Sequence, residues 1–281
     1  MEKKLIYLCA INNIESGICP EDCSFCTQST KHKANITRYS KKSIQAVVQE
    51  AKIAKKNKAV GYCLVTAGAR MDDEKVEYIS KIAREIKKTI DINLIACNGM
   101  ATYEQLKQIK KAGVDSYNHN LESSRSYYQN ICTTHSWEER FQTCLYIKKA
   151  GLNLCTGGIF GMGEDIKDRD ELIQNIKELE PKSTAINFFH PNDALPIPKN
   201  SLSIDEAFGI IKTIKDSLKK GTKIMVAGGR EYMFKDKQYQ IFDYGANSIV
   251  IGDYLTTLGT TVSKELSTIE KLGFDISQDC H

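Results

Sequence analysis

The sequence predicts an α/β fold in which eight parallel strands close into a (β/α)8 TIM-type barrel with the helices outside. Short apolar segments alternate with lysine-rich amphipathic segments along the whole chain of 281 residues, and each kind occurs eight times. No linker or low-complexity tract interrupts the alternation, so we expect one domain over residues 1–281, with a C-terminal tail from about residue 273. A doubly wound open sheet is the alternative, but no G-x-G-x-x-G motif opens the first predicted helix.

The predicted strands are short apolar runs flanked by turn residues and polar segments. They cover residues 4–11, 61–68, 92–99, 115–122, 152–161, 184–190, 223–229 and 248–254.

The predicted helices lie between these strands, and several end in a pair such as Ala112-Gly113 or Ala150-Gly151, which is typical of a helix C-terminus. They cover residues 41–59, 72–89, 102–112, 136–150, 167–179, 203–219, 235–244 and 262–272.

The composition indicates a cytoplasmic protein. Its longest apolar runs are far shorter than a membrane span, and the N-terminus lacks the features of a secretory signal. The lysines behind the net charge of +4 are scattered over helical segments and form no dense basic tract, so we expect neither a membrane nor a nucleic acid as a partner. The ten cysteines are expected to be reduced and available for metal binding or catalysis.

The most informative motif is "CPEDCSFC", which places Cys19, Cys23 and Cys26 in a C-x3-C-x2-C run in the long loop after strand 1. Loops at that end of the strands form the active sites of (β/α)8 barrels. A structural zinc ion would need a fourth ligand, and His32 is the nearest candidate. Three thiolates at a barrel mouth fit a [4Fe–4S] cluster better, with one iron left without a protein ligand.

Cys63, Cys97 and Cys155 lie inside predicted strands 2, 3 and 5. A lone buried cysteine is usually a small packing residue, but three that point into one barrel would converge on a metal or cluster site. Such a set lacks a fourth ligand. The candidates near strand ends are His119, His190 and Arg230, and an imidazole is a better metal donor than a guanidinium. Cys9, Cys132, Cys144 and Cys280 show no pattern that gives them a partner, and Cys280-His281 is expected to be a frayed tail.

Polar side chains lie on predicted strand 4 in "YNHNLE", where alternation puts Asn118, Asn120 and Glu122 on one face. Two amides and a carboxylate inside a barrel need polar partners. These are either a ligand with hydroxyl and amide or ureido groups, or each other in an internally bonded layer. The stretch "TGGIFGMGE" after Cys155 would let a planar or phosphate-like group approach the backbone closely.

The cysteine motif resembles the signature of radical S-adenosylmethionine enzymes. Together with "TQS", "YNHNLE", "CTGGIFGMGE" and "AGGRE", it makes the chain from about Ile14 to Gly252 similar to the biotin synthase family. The resemblance implies a [4Fe–4S] cluster on Cys19, Cys23 and Cys26, with S-adenosylmethionine on the open iron. It also implies a [2Fe–2S] cluster in the barrel, which is the source of the inserted sulfur.

The resemblance further implies particular contacts. The [2Fe–2S] ligands would be Cys63, Cys97, Cys155 and Arg230, which replaces the preference for histidine. Contacts to S-adenosylmethionine would come from Asn120, Glu122, Gly158 and Ile159, and contacts to the substrate dethiobiotin from Asn118 and Asn187. No residue would act as a classical acid or base.

The implied reaction is insertion of sulfur into dethiobiotin to form biotin, after a 5′-deoxyadenosyl radical abstracts hydrogen. The implied partners are a low-potential electron donor of the flavodoxin or ferredoxin type, the iron-sulfur assembly machinery and a second copy of the chain in a homodimer. Two other functions are compatible with parts of the sequence. One is a radical enzyme acting on a different small molecule, and the other is a non-catalytic iron-sulfur protein that carries electrons or clusters.

Overall fold

Eight parallel strands form a closed barrel in the computed structural model, which describes residues 4–199 and 202–280. Each strand pairs with the next along the chain, and β8 and β2 both pair with β1 to close the circle. The predicted fold class is confirmed. The strands are β1 (Leu5–Asn13), β2 (Gly61–Val65), β3 (Asn93–Cys97), β4 (Ser116–Asn118), β5 (Asn153–Phe160), β6 (Ser183–Phe188), β7 (Lys223–Val226) and β8 (Ser248–Val250).

Helices follow the strands on the outside of the barrel. They are α1 (Ile44–Lys56), α2 (Asp73–Lys87), α3 (Tyr103–Lys111), α4 (Trp137–Lys149), α5 (Ile166–Leu179), α6 (Ile204–Ser217), α7 (Arg230–Phe234) and α8 (Val262–Lys271). The helix predicted over 235–244 is wrong. Lys235 adopts a positive φ of 49° and ends α7, and only short 3-10 turns follow it.

Capping residues explain where six of the helices begin. Each of six helices is preceded by a residue whose side chain accepts a hydrogen bond from the backbone N–H three positions later. These capping residues are Ser43, Asp72, Thr102, Ser136, Asp165 and Ser203, and the last four form reciprocal capping boxes.

The buried hydrophobic side chains form two separate clusters. The larger one lies between the barrel and its helices, and it includes fully buried strand residues such as Leu8, Leu64 and Leu94. The smaller one lies inside the barrel and is built on Cys9, Cys63, Val65 and Ile95.

The C-terminal tail is tied to the bottom of the barrel. A ninth strand, β9 (Asp275–Ile276), pairs in parallel with β1 at Leu5 and Ile6. The carbonyl of Cys280 accepts a hydrogen bond from Lys223 Nζ at 2.7 Å, so the chain is held as far as Cys280 and the expected frayed tail is not seen there. His281 lies outside the described residues.

None of the described helices has the length and apolar content needed to cross a bilayer.

Leu94 on β3 gives a test of the outer core. We expect Leu94→Ala to lower the free energy of unfolding by about 2–5 kcal/mol, because the side chain is fully buried and its removal leaves a cavity. Leu258→Ala is the matched control, since that leucine is 86% exposed and its loss should change stability by no more than about 0.5 kcal/mol. Urea denaturation measures both, and similar values for the two would contradict this account of the core.

Candidate active site

An inner cavity of about 300 Å³ lies on the barrel axis. Its wall carries side chains from β1 to β8 and from the loops that follow them. An outer cavity of about 340 Å³ adjoins it at the C-terminal mouth of the barrel, and both are lined by Asn120, Glu122 and Asn187. This is the end at which (β/α)8 barrels bind their substrates.

The loop after β1 carries Cys19, Cys23 and Cys26. The Cys19 N–H donates to the Gln28 carbonyl at 3.3 Å, and the Cys26 N–H donates to the Cys23 carbonyl at 3.0 Å. Cys26 lines the outer cavity together with Glu122. Burial, assisted by the neighbouring Cys19 and Glu122, raises the pKa of Cys26 to about 11, so a bound metal would have to displace the proton.

Cys23 faces a second set of metal-binding side chains. Its Sγ lies 3.6 Å from Cys132 Sγ and 4.0 Å from His135 Nε2, and Cys132 Sγ lies 3.0 Å from His135 Nδ1. All three side chains are buried, and together they could hold a soft metal ion. The expectation that Cys132 has no partner is therefore wrong. The C-x2-H spacing of Cys132 and His135 was a signal that could have revealed it.

Asp22 fixes the position of this second set. Its Oδ1 accepts hydrogen bonds from the Thr133 N–H at 3.0 Å and from the Thr134 hydroxyl at 2.9 Å. These contacts tie the loop after β4 to the loop after β1. Cys23 therefore stands between two groups of donors, Cys19 and Cys26 on its own loop and Cys132 and His135 on the other.

Cys63, Cys97 and Cys155 all line the inner cavity, as strand alternation predicted. The neighbouring Cys97 thiol and burial raise the pKa of Cys63, whereas the Cys63 thiol lowers the pKa of Cys97. The amide of Asn118 donates to Cys97 Sγ, at 3.5 Å. The three thiols thus reach one space, although they lie on three different strands. All ten cysteines of the chain are free.

Arg230 lies outside the inner cavity that these cysteines line. It opens α7, is fully buried, and points at two carboxylates outside the cavity. Its Nη2 pairs with Glu265 of α8 and lies 3.1 Å from Glu231 Oε1. The inward-facing residue of β7 is Met225, which lines the inner cavity.

The histidines do not complete the set either. His119 is buried, but it lies between the inward-facing Asn118 and Asn120 on the alternating strand and is not part of either cavity wall. His190 lines the outer cavity only, where its ring stacks on Tyr232 with centroids 4.8 Å apart.

Asn118, Asn120 and Glu122 line the inner cavity on one face, as predicted. Asn118 Oδ1, Asn120 Oδ1 and Glu122 Oε2 are buried and have no hydrogen-bond partner within the described part of the protein. Burial raises the pKa of Glu122, and the guanidinium of Arg140, 3.6 Å away, opposes that effect. Because buried polar atoms are normally satisfied, this wall is suited to a polar ligand.

The strand β5 closes against this wall. Ile159 N–H donates to the Glu122 carbonyl at 2.8 Å, and a Cβ on Gly158 would come within 2.9 Å of the same carbonyl oxygen, so glycine is required there. Ile159 lines the outer cavity, but Gly158 lines neither. Asn187 lines both cavities. Its side-chain Nδ2 donates a hydrogen bond to the Gly158 carbonyl at 3.1 Å, and its Oδ1 accepts one from the Gly228 N–H at 2.9 Å.

Known proteins share this fold, and some are similar in sequence. The profile of the Radical SAM superfamily matches residues 14–176, and that of the Biotin and Thiamin Synthesis associated domain matches residues 185–275. Among solved structures, the FeFe-hydrogenase maturase HydG from Carboxydothermus hydrogenoformans superposes with a TM-score of 0.83 at 17% identity, over 97% of this chain and 68% of that one. Methylornithine synthase (PylB) gives a TM-score of 0.80 at 15% identity, over 97% and 84%. At these identities the structures show the barrel fold alone.

The barrel and its cysteine loop thus define a radical SAM enzyme. Curated relatives named biotin synthase are much more similar in sequence. The one from Aliarcobacter butzleri is 54% identical over the full length of both chains, and the one from Nitratiruptor sp. is 54% identical over 98% of this chain and 99% of its own. The chain belongs to the biotin synthase family.

The buried ion pair of Arg230 gives a test of its role. We expect Arg230→Met to lower the free energy of unfolding by about 3–5 kcal/mol, because it leaves the Glu265 carboxylate buried without its partner. The double variant Arg230→Met/Glu265→Leu should recover most of that loss, since it removes both charges. Chemical denaturation of the metal-free protein measures each. A single variant as stable as the parent protein would show that the pair has no structural role.

Proposed function

We propose that the protein converts dethiobiotin to biotin by radical-based sulfur insertion. In this proposal Cys19, Cys23 and Cys26 hold a [4Fe–4S] cluster that binds S-adenosylmethionine. Cys63, Cys97 and Cys155 hold a [2Fe–2S] cluster that donates the sulfur. The main support for the proposal is a pair of adjoining cavities at the C-terminal end of the barrel. The cysteine loop lies at the mouth of the outer cavity, and three thiols line the inner one. Polar atoms without hydrogen-bond partners among the described residues lie between these two sets of cysteines.

The donor sets fit both groups. Thiolates are the usual ligands of iron-sulfur clusters, and each set consists of three free cysteines. When bound, the clusters and S-adenosylmethionine supply the one-electron chemistry and the sulfur atom that amino-acid side chains cannot provide.

The chain's own residues bind and orient the reactants. We assign Asn120 and Glu122 to the ribose hydroxyls of S-adenosylmethionine, because their unpartnered oxygens face the space between the two cysteine sets. Ile159, together with the backbone at Gly158, would form the adjoining contact surface. Asn118 and Asn187 are assigned to the ureido ring of dethiobiotin, since both line the inner cavity.

The apolar part of the inner-cavity wall has a different function in this proposal. Ile11, Val65, Ile95 and Leu255 line the inner cavity and limit the entry of water. A dry site protects a reactive radical from side reactions. We assign no classical acid or base, since the chemistry falls to the bound groups.

Several partners belong to this proposal. A low-potential donor of the flavodoxin or ferredoxin type would supply electrons, and the iron-sulfur assembly machinery would rebuild the barrel cluster. We place the protein in the cytoplasm, where ten free thiols would stay reduced. The homodimer stays a prediction.

The function is tested by following two products together. We expect anaerobically reconstituted protein, given S-adenosylmethionine, a low-potential reductant and dethiobiotin, to form 5′-deoxyadenosine and biotin, with biotin limited to the amount of barrel cluster. Mass spectrometry measures both. If 5′-deoxyadenosine forms without biotin, the substrate is a different small molecule. If cluster-loaded protein forms neither, the electron-carrier function is favoured.

Glu122 gives a test of the binding wall. We expect Glu122→Gln to weaken S-adenosylmethionine binding by about tenfold to a hundredfold, because it removes a charged hydrogen-bond acceptor from a buried site. Equilibrium binding to cluster-loaded protein measures the effect. Glu15→Gln is the matched control, because Glu15 has a buried carboxylate oxygen without a hydrogen-bond partner among the described residues but lines neither cavity. Equal losses in the two variants would contradict the assignment of Glu122.

A further inference from the structure

We propose that the fourth protein ligand of the barrel cluster is the thiolate of Cys9. This inference rests on the proposed function, which puts a [2Fe–2S] cluster on Cys63, Cys97 and Cys155. Cys9 would take the ligand position that the sequence resemblance gave to Arg230, so that four cysteines would hold the cluster.

Cys9 occupies the same space as the other three thiols. It lies near the middle of β1, is buried, and lines the inner cavity together with Cys63, Cys97 and Cys155. In the parallel register Cys9 lies opposite Gly61, two residues before Cys63 on β2. A Cβ on Gly61 would come within 2.8 Å of Cys9 Sγ, so the missing side chain at Gly61 leaves room for the sulfur.

The position of Cys9 along the barrel axis also fits. Cys9, Ile95, Cys155 and Met225 come from the alternate strands β1, β3, β5 and β7, and all four line both the inner cavity and a further cavity of about 310 Å³ at the bottom of the barrel. They therefore form one layer of side chains, the arrangement expected inside a (β/α)8 barrel. Within that layer Cys9 and Cys155 face each other across the axis.

The other candidates are weaker ligands or lie elsewhere. Arg230 is held outside the cavity by Glu265 and Glu231, and it could reach a cluster only by leaving the buried Glu265 carboxylate without its ion-pair partner. Met225 shares the layer with Cys9, but its thioether is uncharged, whereas [2Fe–2S] clusters are held by thiolates.

The test compares the barrel cluster of reconstituted protein in three variants. We expect Cys9→Ala to lower the retention of the [2Fe–2S] cluster against a chelator by at least about tenfold, since loss of a direct ligand should cost no less than loss of a group that only supports one. Cys9→Ser should keep a cluster with a changed visible absorption and a shifted reduction potential. Met225→Leu should keep the parent absorption, potential and retention. Mössbauer and absorption spectra measure the cluster, and the [4Fe–4S] signals serve as an internal standard.

Cys144→Ala is the matched control for removal of a buried cysteine. Cys144 is fully buried in α4 and lines neither cavity, so its loss should not change the barrel cluster. Thermal unfolding of the metal-free variants separates loss of ligand from loss of fold.

Three results would overturn the inference. If Cys9→Ala retains a cluster with the parent spectrum, Cys9 is not a ligand. If Met225→Leu loses the cluster while Cys9→Ala keeps it, the fourth ligand is the thioether. If the parent protein holds no [2Fe–2S] cluster at all, the proposed function fails together with this inference, whereas the first two results leave that function standing.

Discussion

Closure of the barrel through the pairing of β1 with both β2 and β8 is the constraint on which the site depends. Once the sheet is closed, every second residue of each strand must point to the axis. Cys63 and Cys155, which lie far apart in sequence, then share one cavity. A slip of one residue in β2 would turn Cys63 outward into the helix layer.

The interior of the barrel is packed for binding more than for stability. Its apolar cluster is small, whereas the layer between the strands and the helices contains most of the buried hydrophobic side chains. The unpartnered oxygens of Asn118, Asn120 and Glu122 cost stability when buried without a ligand. The outer core offsets this cost, so the fold can maintain a polar wall that a ligand would satisfy.

Cys23 shows how the two loops at the barrel mouth depend on each other. It belongs to the C-x3-C-x2-C run, yet its sulfur packs against Cys132 and His135 of the loop after β4. A cluster on Cys19, Cys23 and Cys26 would need the Cys23 thiol to turn toward its own loop. Loading of a cluster there would therefore be coupled to the conformation of a segment that is distant in sequence.

The sequence alone determined the barrel, the cysteine loop at its mouth and the face shared by Asn118 and Glu122. These features follow from local patterns, namely the strand-helix alternation, the spacing of thiols within a few residues and the two-residue period of a strand. The one failed helix, over 235–244, has the right amphipathic content, but a positive φ at Lys235 breaks the backbone. The hydrophobic pattern of a sequence does not predict such dihedral angles.

Only the tertiary structure decided which distant residues meet. Arg230 follows a glycine-rich strand end, a position from which sequence could aim it at the axis, but the carboxylate of Glu265 on α8 holds it outside the barrel. Cys9 carried no local motif and Cys132 only a C-x2-H spacing, and their neighbours became visible only when β1 closed against β2 and when Asp22 joined the two loops. The physical reason is that contacts between segments far apart in sequence depend on barrel register and on the pairing of buried charges, and neither has a local signature.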